Sequence, residues 1–374
     1  MRTDYDVTVV GGGLLGAAIA WGLARLGEKV CVLDEGDITK RASRANFALI
    51  WVQGKGLGKP EYAGWSLNAS RLWPQLADEL QQQTGLDVRY ERPGGFAIAL
   101  SEKEMQNRAR LRTHMFAQGA PEGYVIELVG REELARHLPE IGPDVVGASY
   151  SPADGHVNSL RTYRALHEGL RLFGANYRPG ESVETIRHQG GEFTLKTKNG
   201  IVTSGKIVLA AGNENEKLAT QVGLFAPMSP TRGQVLVSER TERFLHYPLG
   251  TMRQTDEGTV MMGDSKEDYL DDRVARLPVS TVIADRARRT FPRLGALNIV
   301  RSWAGIRVMT RDGFPIYDQS SACPGAFVTC CHSGVTLASQ HALEIAAMIK
   351  QGALDPAKVS AFSAQRFSDA PATL

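Results

Sequence analysis

The stretch Tyr5-Asp-Val-Thr-Val-Val-Gly-Gly-Gly-Leu-Leu-Gly16 decides the fold. Its first six residues form a short β-branched run, the pattern of a buried strand. Glycines follow at once, and Leu15 to Leu26 then repeats with helical spacing up to Gly27. Lys29-Val-Cys-Val-Leu33 is a second buried strand, closed by Asp34 and Glu35. Strand, glycine turn, helix, strand and acid in this order form a dinucleotide-binding unit. Each residue type has a physical reason. Gly11 permits the tight turn, Gly13 lets main chain approach a pyrophosphate, and Gly16 lets helix and strand pack closely. The open amides of the helix start, Leu14 and Leu15 included, face the anion. Asp34, 18 positions after Gly16, is placed to accept from the adenosine ribose hydroxyls. A carboxylate there argues against a 2′-phosphate, and so against NADP. The unit alone does not separate FAD from NAD.

Length and composition bound the class of protein. A length of 374 residues suggests two domains, and 43% apolar with 22% charged residues is an ordinary globular mix. Lys+Arg is 43 against Asp+Glu 41, a formal charge of +2 with no long basic run, which argues against nucleic acid as a partner. Four cysteines without a C-x-x-C pair exclude a disulfide scaffold and leave no metal or iron–sulfur ligand set. Val7 to Ala24 is uncharged, but Asp4 and Asp6 precede it, and Gly11, Gly12, Gly13 and Gly16 interrupt it. A signal or a membrane span is therefore not expected, and the composition suits the reducing cytoplasm.

Further along, Arg41-Ala-Ser-Arg-Ala-Asn-Phe47 reads as a polar loop beside the pyrophosphate. Trp65 to Gln83 reads as an amphipathic helix interrupted near Pro74. Gly94–Leu100 reads as a strand, Ser101–Gln118 as a charged helix and Leu160–Phe173 as another helix. Gly205–Gly212 is a buried strand with a small-residue turn. Gln234–Glu239, Thr251–Gln254 and Thr259–Gly263 read as antiparallel strands. Phe327–Cys330 is a strand, after which His332-Ser-Gly334 opens a helix running to Lys350. Nucleotide-type segments near the start, middle and end enclose a sheet-rich module.

Several segments, in order, carry a resemblance. They are the Gly11–Gly16 unit with Asp34-Glu35, Asp154-Gly-His-Val-Asn158, Val208-Leu-Ala-Ala-Gly212, Arg232-Gly-Gln234, Trp303-Ala-Gly-Ile-Arg307 with Asp312-Gly-Phe-Pro315, and His332-Ser-Gly-Val-Thr336. Together they resemble the FAD-dependent oxidoreductases of the D-amino-acid oxidase, glycine oxidase and sarcosine oxidase type. Arg44-Ala-Asn-Phe, Trp51-Val-Gln-Gly-Lys-Gly56 and His332-Ser-Gly-Val-Thr-Leu337 look most like the β subunits of bacterial opine (nopaline/octopine) and D-hydroxyproline dehydrogenases.

The resemblance implies an α/β fold: a Rossmann-like FAD-binding domain from 1–85, 146–222 and 320–374, and a discontinuous antiparallel-sheet substrate domain from 86–145 and 223–319. Besides the glycine turn and its acids, it implies cofactor contacts at Ser43, Arg44, Asn46, Phe47, Ala48, Val183, Ala211, Gly212, Gly305, Ser333, Gly334, Val335 and Thr336. Gly305 stands where monomeric sarcosine oxidases carry a tethering cysteine, so FAD held without a covalent bond is expected.

It further implies hydride transfer from the carbon beside nitrogen to flavin N5, with Arg307 holding a substrate carboxylate, because a guanidinium fork suits bidentate capture. His332 is a candidate catalytic residue beside the flavin turn, or a residue that orients it. Thr251 and Arg253 are candidates for the substrate pocket. His156, near where a sarcosine oxidase subunit tethers FMN, reads more plainly as a loop histidine, and Cys330-Cys331 as packing residues. The expected partners are a small carboxylated amine and the other subunits of a dehydrogenase complex, with FMN at a subunit interface as an open question. A self-sufficient oxidase and a flavin-carrying subunit without catalysis are the alternatives.

Overall fold

The computed structural model describes residues 3–36, 41–268, 270 and 275–368. Its main sheet grows from the opening unit. Strand β1 (Tyr5–Val10) pairs in parallel with β2 (Val30–Asp34) and with β11 (Gly200–Leu209). Parallel pairing continues outward to β8 (Asn176–Pro179) on β2 and β17 (Ala326–Cys330) on β11. An antiparallel β16 (Ile316–Gln319) closes that edge. β9 (Val183–Gln189) and β10 (Glu192–Thr197) form an antiparallel extension on β11. The strands adjoining β1 come from residues 30–34 and 200–209, so the nucleotide domain is assembled from distant parts of the chain.

A second, antiparallel layer holds β13 (Met252–Gln254), β14 (Thr259–Met262), β12 (Thr231–Arg240) and β15 (Ile299–Arg307), in that order. β4 (Gly95–Ala99), β6 (Gly147–Ser151) and β5 (Glu127–Gly130) form a three-stranded companion. A bridge between Phe96 and Leu249 joins the two. The short β3 (Leu49–Ile50) and β7 (Gly155–His156) pair where the layers meet.

These pairings move two of the expected domain edges. β6 belongs to the antiparallel layer through its bonds to β4 and β5, so residues 147–151 lie outside the nucleotide sheet. β16 lies inside it, four residues before the expected edge at 320.

The helix expected to break at Pro74 is continuous from Pro60 to Thr84. A proline removes one amide donor and frees the carbonyl four residues earlier. Here that carbonyl, Ser70 O, accepts from Arg92 Nη1 at 3.1 Å. The neighbouring Trp73 packs fully buried. The expected loop 41–47 contains a helical turn at Ala42–Ala45. The expected helix from His332 is instead a turn over 334–337 followed by Ala338–Gln340, a π-turn at His341–Ile345 and a last segment Ala346–Gln351. Gly22 crosses the π-turn so closely that a Cβ there would lie 2.0 Å from the Ala342 carbonyl oxygen.

Among the described residues no helix is long and apolar enough to cross a membrane, and no three His, Cys, Asp or Glu side chains gather as a metal site.

Candidate active site

A cavity of about 1130 Å³ runs between the two layers, from Gly11 to Arg307. Its nucleotide end is made of main chain. Gly11 has φ +106°, and a Cβ there would meet the Ala210 carbonyl oxygen at 2.4 Å. A Cβ on Gly16 would lie 1.9 Å from the Gly11 carbonyl oxygen, so only glycine lets the helix Leu14–Arg25 start this close to β1. The Gly12 amide donates to Asp34 Oδ2 at 2.7 Å, and the Leu14 amide to Ser43 Oγ at 2.8 Å. The Gly13, Leu15 and Gly16 amides donate to no acceptor among the described residues. Unmet amides at a helix start, with no side chain on Gly13 to block them, fit a pyrophosphate. Asp34 also takes the Gly36 amide at 2.9 Å and keeps lone pairs for a ribose hydroxyl. Glu35 lines the same end, half-exposed and ion-paired with Arg41.

The middle of the cavity is walled by the segment 45–49. Asn46 pins it by donating to Ser43 O at 2.7 Å and accepting from the Ala48 amide at 2.8 Å. Ala48 sits at φ +62°, the left-handed region that a non-glycine residue occupies at a cost of about 1–2 kcal/mol. Opposite it, Trp73 Nε1 donates to the carbonyls of Val335 and Thr336 at 3.1 and 3.0 Å. Thr336 Oγ1 accepts from the Trp51 amide at 3.1 Å. These bonds fix the turn 333–336 with its amides free: those of Gly334, Val335 and Thr336 meet no acceptor among the described residues. Such a turn can hold the oxygen-rich edge of an isoalloxazine ring. Val183, Ala211, Gly212 and Gly305 complete the lining, and Gly305 offers no thiol.

The far end is made of side chains. Arg307 closes β15, and its Nη2 donates to Asp264 Oδ1 at 2.7 Å. Gly233 lies directly beneath: a Cβ there would meet Arg307 Nη2 at 2.3 Å, so the Arg232-Gly-Gln234 segment makes room for the guanidinium. Arg232 itself is fully buried on Glu267 at 2.6 Å, bracing the strand. His332 is exposed to the cavity rather than walled off from it. Enclosure by the protein, then the charges of Lys55 and Arg307, hold its pKa well below the ordinary histidine value, so the ring is neutral at pH 7.

Not every expected residue reaches the cavity. Gly16 lies under the turn as a packing contact, and Arg44 stacks over Tyr163 at 5.3 Å beside a small side pocket shared with Gly13 and Ser43. Thr251 and Arg253 do not line it. Arg253 is buried, its Nε donating to Phe47 O at 2.8 Å, so it supports the wall from behind. Burial lowers its pKa to about 10, leaving it charged. His156 sits away from the cavity in β7, 3.7 Å from Glu91.

Two features were missed at the sequence level. Lys55 lines the cavity and donates to Ser333 Oγ, which also accepts from Tyr62 at 2.9 Å. Beneath it, buried Asp154 takes the Val52 amide at 2.5 Å, the Gln53 amide at 3.2 Å and Gln53 Nε2 at 2.6 Å. Both residues fall in segments that carried the resemblance, which was the available signal.

The chain is similar to known proteins over nearly its whole length. The family model described as FAD dependent oxidoreductase (DAO) matches residues 6–348. An opine oxidase subunit of Agrobacterium tumefaciens (strain Ach5) is 48% identical over 368 residues, covering 97% of this chain and 98% of the relative. The protein of the same name from Rhizobium meliloti is 45% identical, with the same coverage. Among solved structures, glycine oxidase from Geobacillus kaustophilus superposes with a TM-score of 0.86 at 26% identity, covering 97% of this chain and 98% of the other. The chain belongs to the DAO family of FAD-dependent oxidoreductases.

Proposed function

We propose that this chain oxidises the C–N bond of a carboxylated amine, such as an amino acid, imino acid or opine, as the catalytic subunit of a hetero-oligomeric dehydrogenase with FAD held noncovalently. One observation carries the reading: Arg307 and His332 open onto the same cavity as the dinucleotide turn.

The Gly11–Gly16 turn and Asp34 would hold the nucleotide half of FAD, and the 334–336 amides its ring. Bound flavin supplies a hydride acceptor at N5. Arg307 binds the substrate carboxylate, with Asp264 fixing the guanidinium through one Nη while its other donors stay available. His332, uncharged, can accept a hydrogen bond from the substrate amine and orient it, but its lowered pKa makes it too weak a base to take the ammonium proton, which leaves to water before the amine reacts. The amides of 334–336 would face the oxygen-rich edge of the ring and stabilise negative charge there. The hetero-oligomeric part of the reading rests on the names of the two relatives, each called a subunit of an opine oxidase. FMN at a subunit interface belongs to the same reading.

Anaerobic mixing with a panel of glycine, sarcosine, D-proline, D-hydroxyproline, octopine and nopaline tests the proposal. Bleaching of the flavin by one of these amines is expected, with slow reoxidation in air. Rapid peroxide formation by the isolated chain would instead mark a self-sufficient oxidase. No bleaching by any amine would leave a flavin-carrying subunit without catalysis.

A further inference from the structure

We propose that Lys55 is a specificity-determining residue: a second acid-group anchor that works with Arg307, so that the preferred substrates are secondary amines bearing a carboxylate on each arm of the nitrogen. This rests on the function proposed above and narrows it.

The two cations enter the cavity from different walls. Arg307 stands on the antiparallel sheet, over Gly233. Lys55 stands on the loop after β3, beside the 333–336 turn. His332 lines the same cavity as both, and the charges of both lower its pKa. An amine whose two arms end in acid groups would present its nitrogen to that region while each cation took one end.

The surroundings of Lys55 support a ligand role over a structural one. Its backbone is held firmly: the Lys55 amide donates to Val52 O at 3.0 Å, and the Gly54 amide to Tyr124 Oη at 2.8 Å. Its Nζ donates to Ser333 Oγ and lies 5.9 Å from the centre of the Tyr62 ring. Among the described residues no carboxylate pairs with it. Asp154 is near enough to be felt, but its oxygens are taken by two amides and Gln53 Nε2. An enclosed ammonium without an ion pair is costly. It also keeps donors unused, since an ammonium has three. A carboxylate arriving through the cavity meets both needs. The arrangement does not depend on local sequence chemistry: Gly54 and Gly56, both at positive φ, only let the loop present the side chain.

The holoenzyme, purified with any subunits it carries, provides the test. Iminodiacetate and sarcosine share one amine and differ by one carboxylate. The ratio of their kcat/KM values is compared in wild type, Lys55→Met and Lys55→Arg, with flavin content measured for each. Removing one charged hydrogen-bonding contact to an acid group lowers that ratio about 30-fold in Lys55→Met; Lys55→Arg should keep it within about threefold. If Lys55→Met fails to load flavin, Lys55→Gln gives the same reading. A ratio that stays within about threefold of wild type in Lys55→Met overturns the proposal. So does an equal loss for both amines, which would make Lys55 a residue serving the flavin. Thiodiacetate, which has sulfur in place of the nitrogen and is not oxidised, separates the two hypotheses. Should no amine bleach the wild-type flavin, the function reading falls. Weaker perturbation of flavin absorbance by thiodiacetate in Lys55→Met would still uphold the anchor, and unchanged perturbation would remove it.

Discussion

The two ends of the cavity are built in opposite ways. The nucleotide end uses main chain within one stretch of about a dozen residues, and its chemistry lies in glycines and in unmet amides. The end proposed to take the substrate uses charged or polar side chains from residues 55, 307 and 332, each on a different element. The first end tolerates no added atom, whereas the second tolerates exchange of side chains. A family can therefore keep one cofactor while changing what it oxidises.

The largest effect should come from filling the first end. Gly16→Val places its Cβ about where Gly11 O stands, 1.9 Å away, and neither partner is a flexible side chain. The expected outcome is a colourless protein that does not take up FAD, read from its absorbance after incubation with excess cofactor. A yellow, folded variant would show that the close approach is dispensable.

The second end should respond in degree. Arg307→Lys keeps the charge but loses the fork, so KM for a carboxylated amine should rise roughly 10- to 100-fold with kcat changed much less. Steady-state kinetics that show no loss of kcat/KM would remove Arg307 from the site.

What the sequence revealed follows the same division. The Gly11–Gly16 turn, Asp34 and the first two strands could be read directly, because the contacts that define the unit, β1 with β2, Gly16 with Gly11 and Gly12 with Asp34, lie within 30 residues of one another and follow from backbone geometry. Arg307 and His332 became legible only through resemblance, since nothing local says that residue 307 meets residue 332. Arg253 shows the limit most clearly. It sits on the expected strand, yet its guanidinium turns to Phe47 O instead of the cavity. That choice depends on a loop 206 residues earlier. Pro74 failed for a related reason: a distant side chain, Arg92, satisfies the carbonyl that the proline frees. Lys55 lay inside a segment already noted, but only the cavity gave it a task.

Titration separates the ends further. Burial lowers the Lys55 pKa to about 8, against an ordinary value of 10.5. The ammonium is present below that pH and lost above it. If Lys55 holds an acid group, preference for a two-carboxylate amine over its one-carboxylate analogue should fall about tenfold between pH 7 and pH 9. Binding of the one-carboxylate analogue, which does not need Lys55, should not follow the same curve. A preference flat with pH would detach Lys55 from recognition.

The floor of the substrate end can be tested by stability. Asp154→Asn turns one accepting oxygen into a donor facing amides of Val52 and Gln53 or the Gln53 side chain. Leaving a buried donor unmet should cost about 1–3 kcal/mol, read as a lower denaturant midpoint at unchanged slope. An unchanged midpoint would mean that the loop carrying Lys55 is held from elsewhere.

The smallest effect is expected at the joint between the two ends. Ala48 is buried at φ +62°, held there by Asn46 on one side and by the Arg253 bond to Phe47 on the other. Glycine adopts this conformation freely, so Ala48→Gly should relieve about 1–2 kcal/mol of backbone strain. It should also lose about 0.5–1 kcal/mol through the greater freedom of the unfolded chain. The net change is a gain of about 0–1.5 kcal/mol in thermal or denaturant unfolding. A clear loss instead would mean that the Ala48 methyl group packs against neighbours that matter more than its strain. The wall between cofactor and substrate would then belong to the end that tolerates no change.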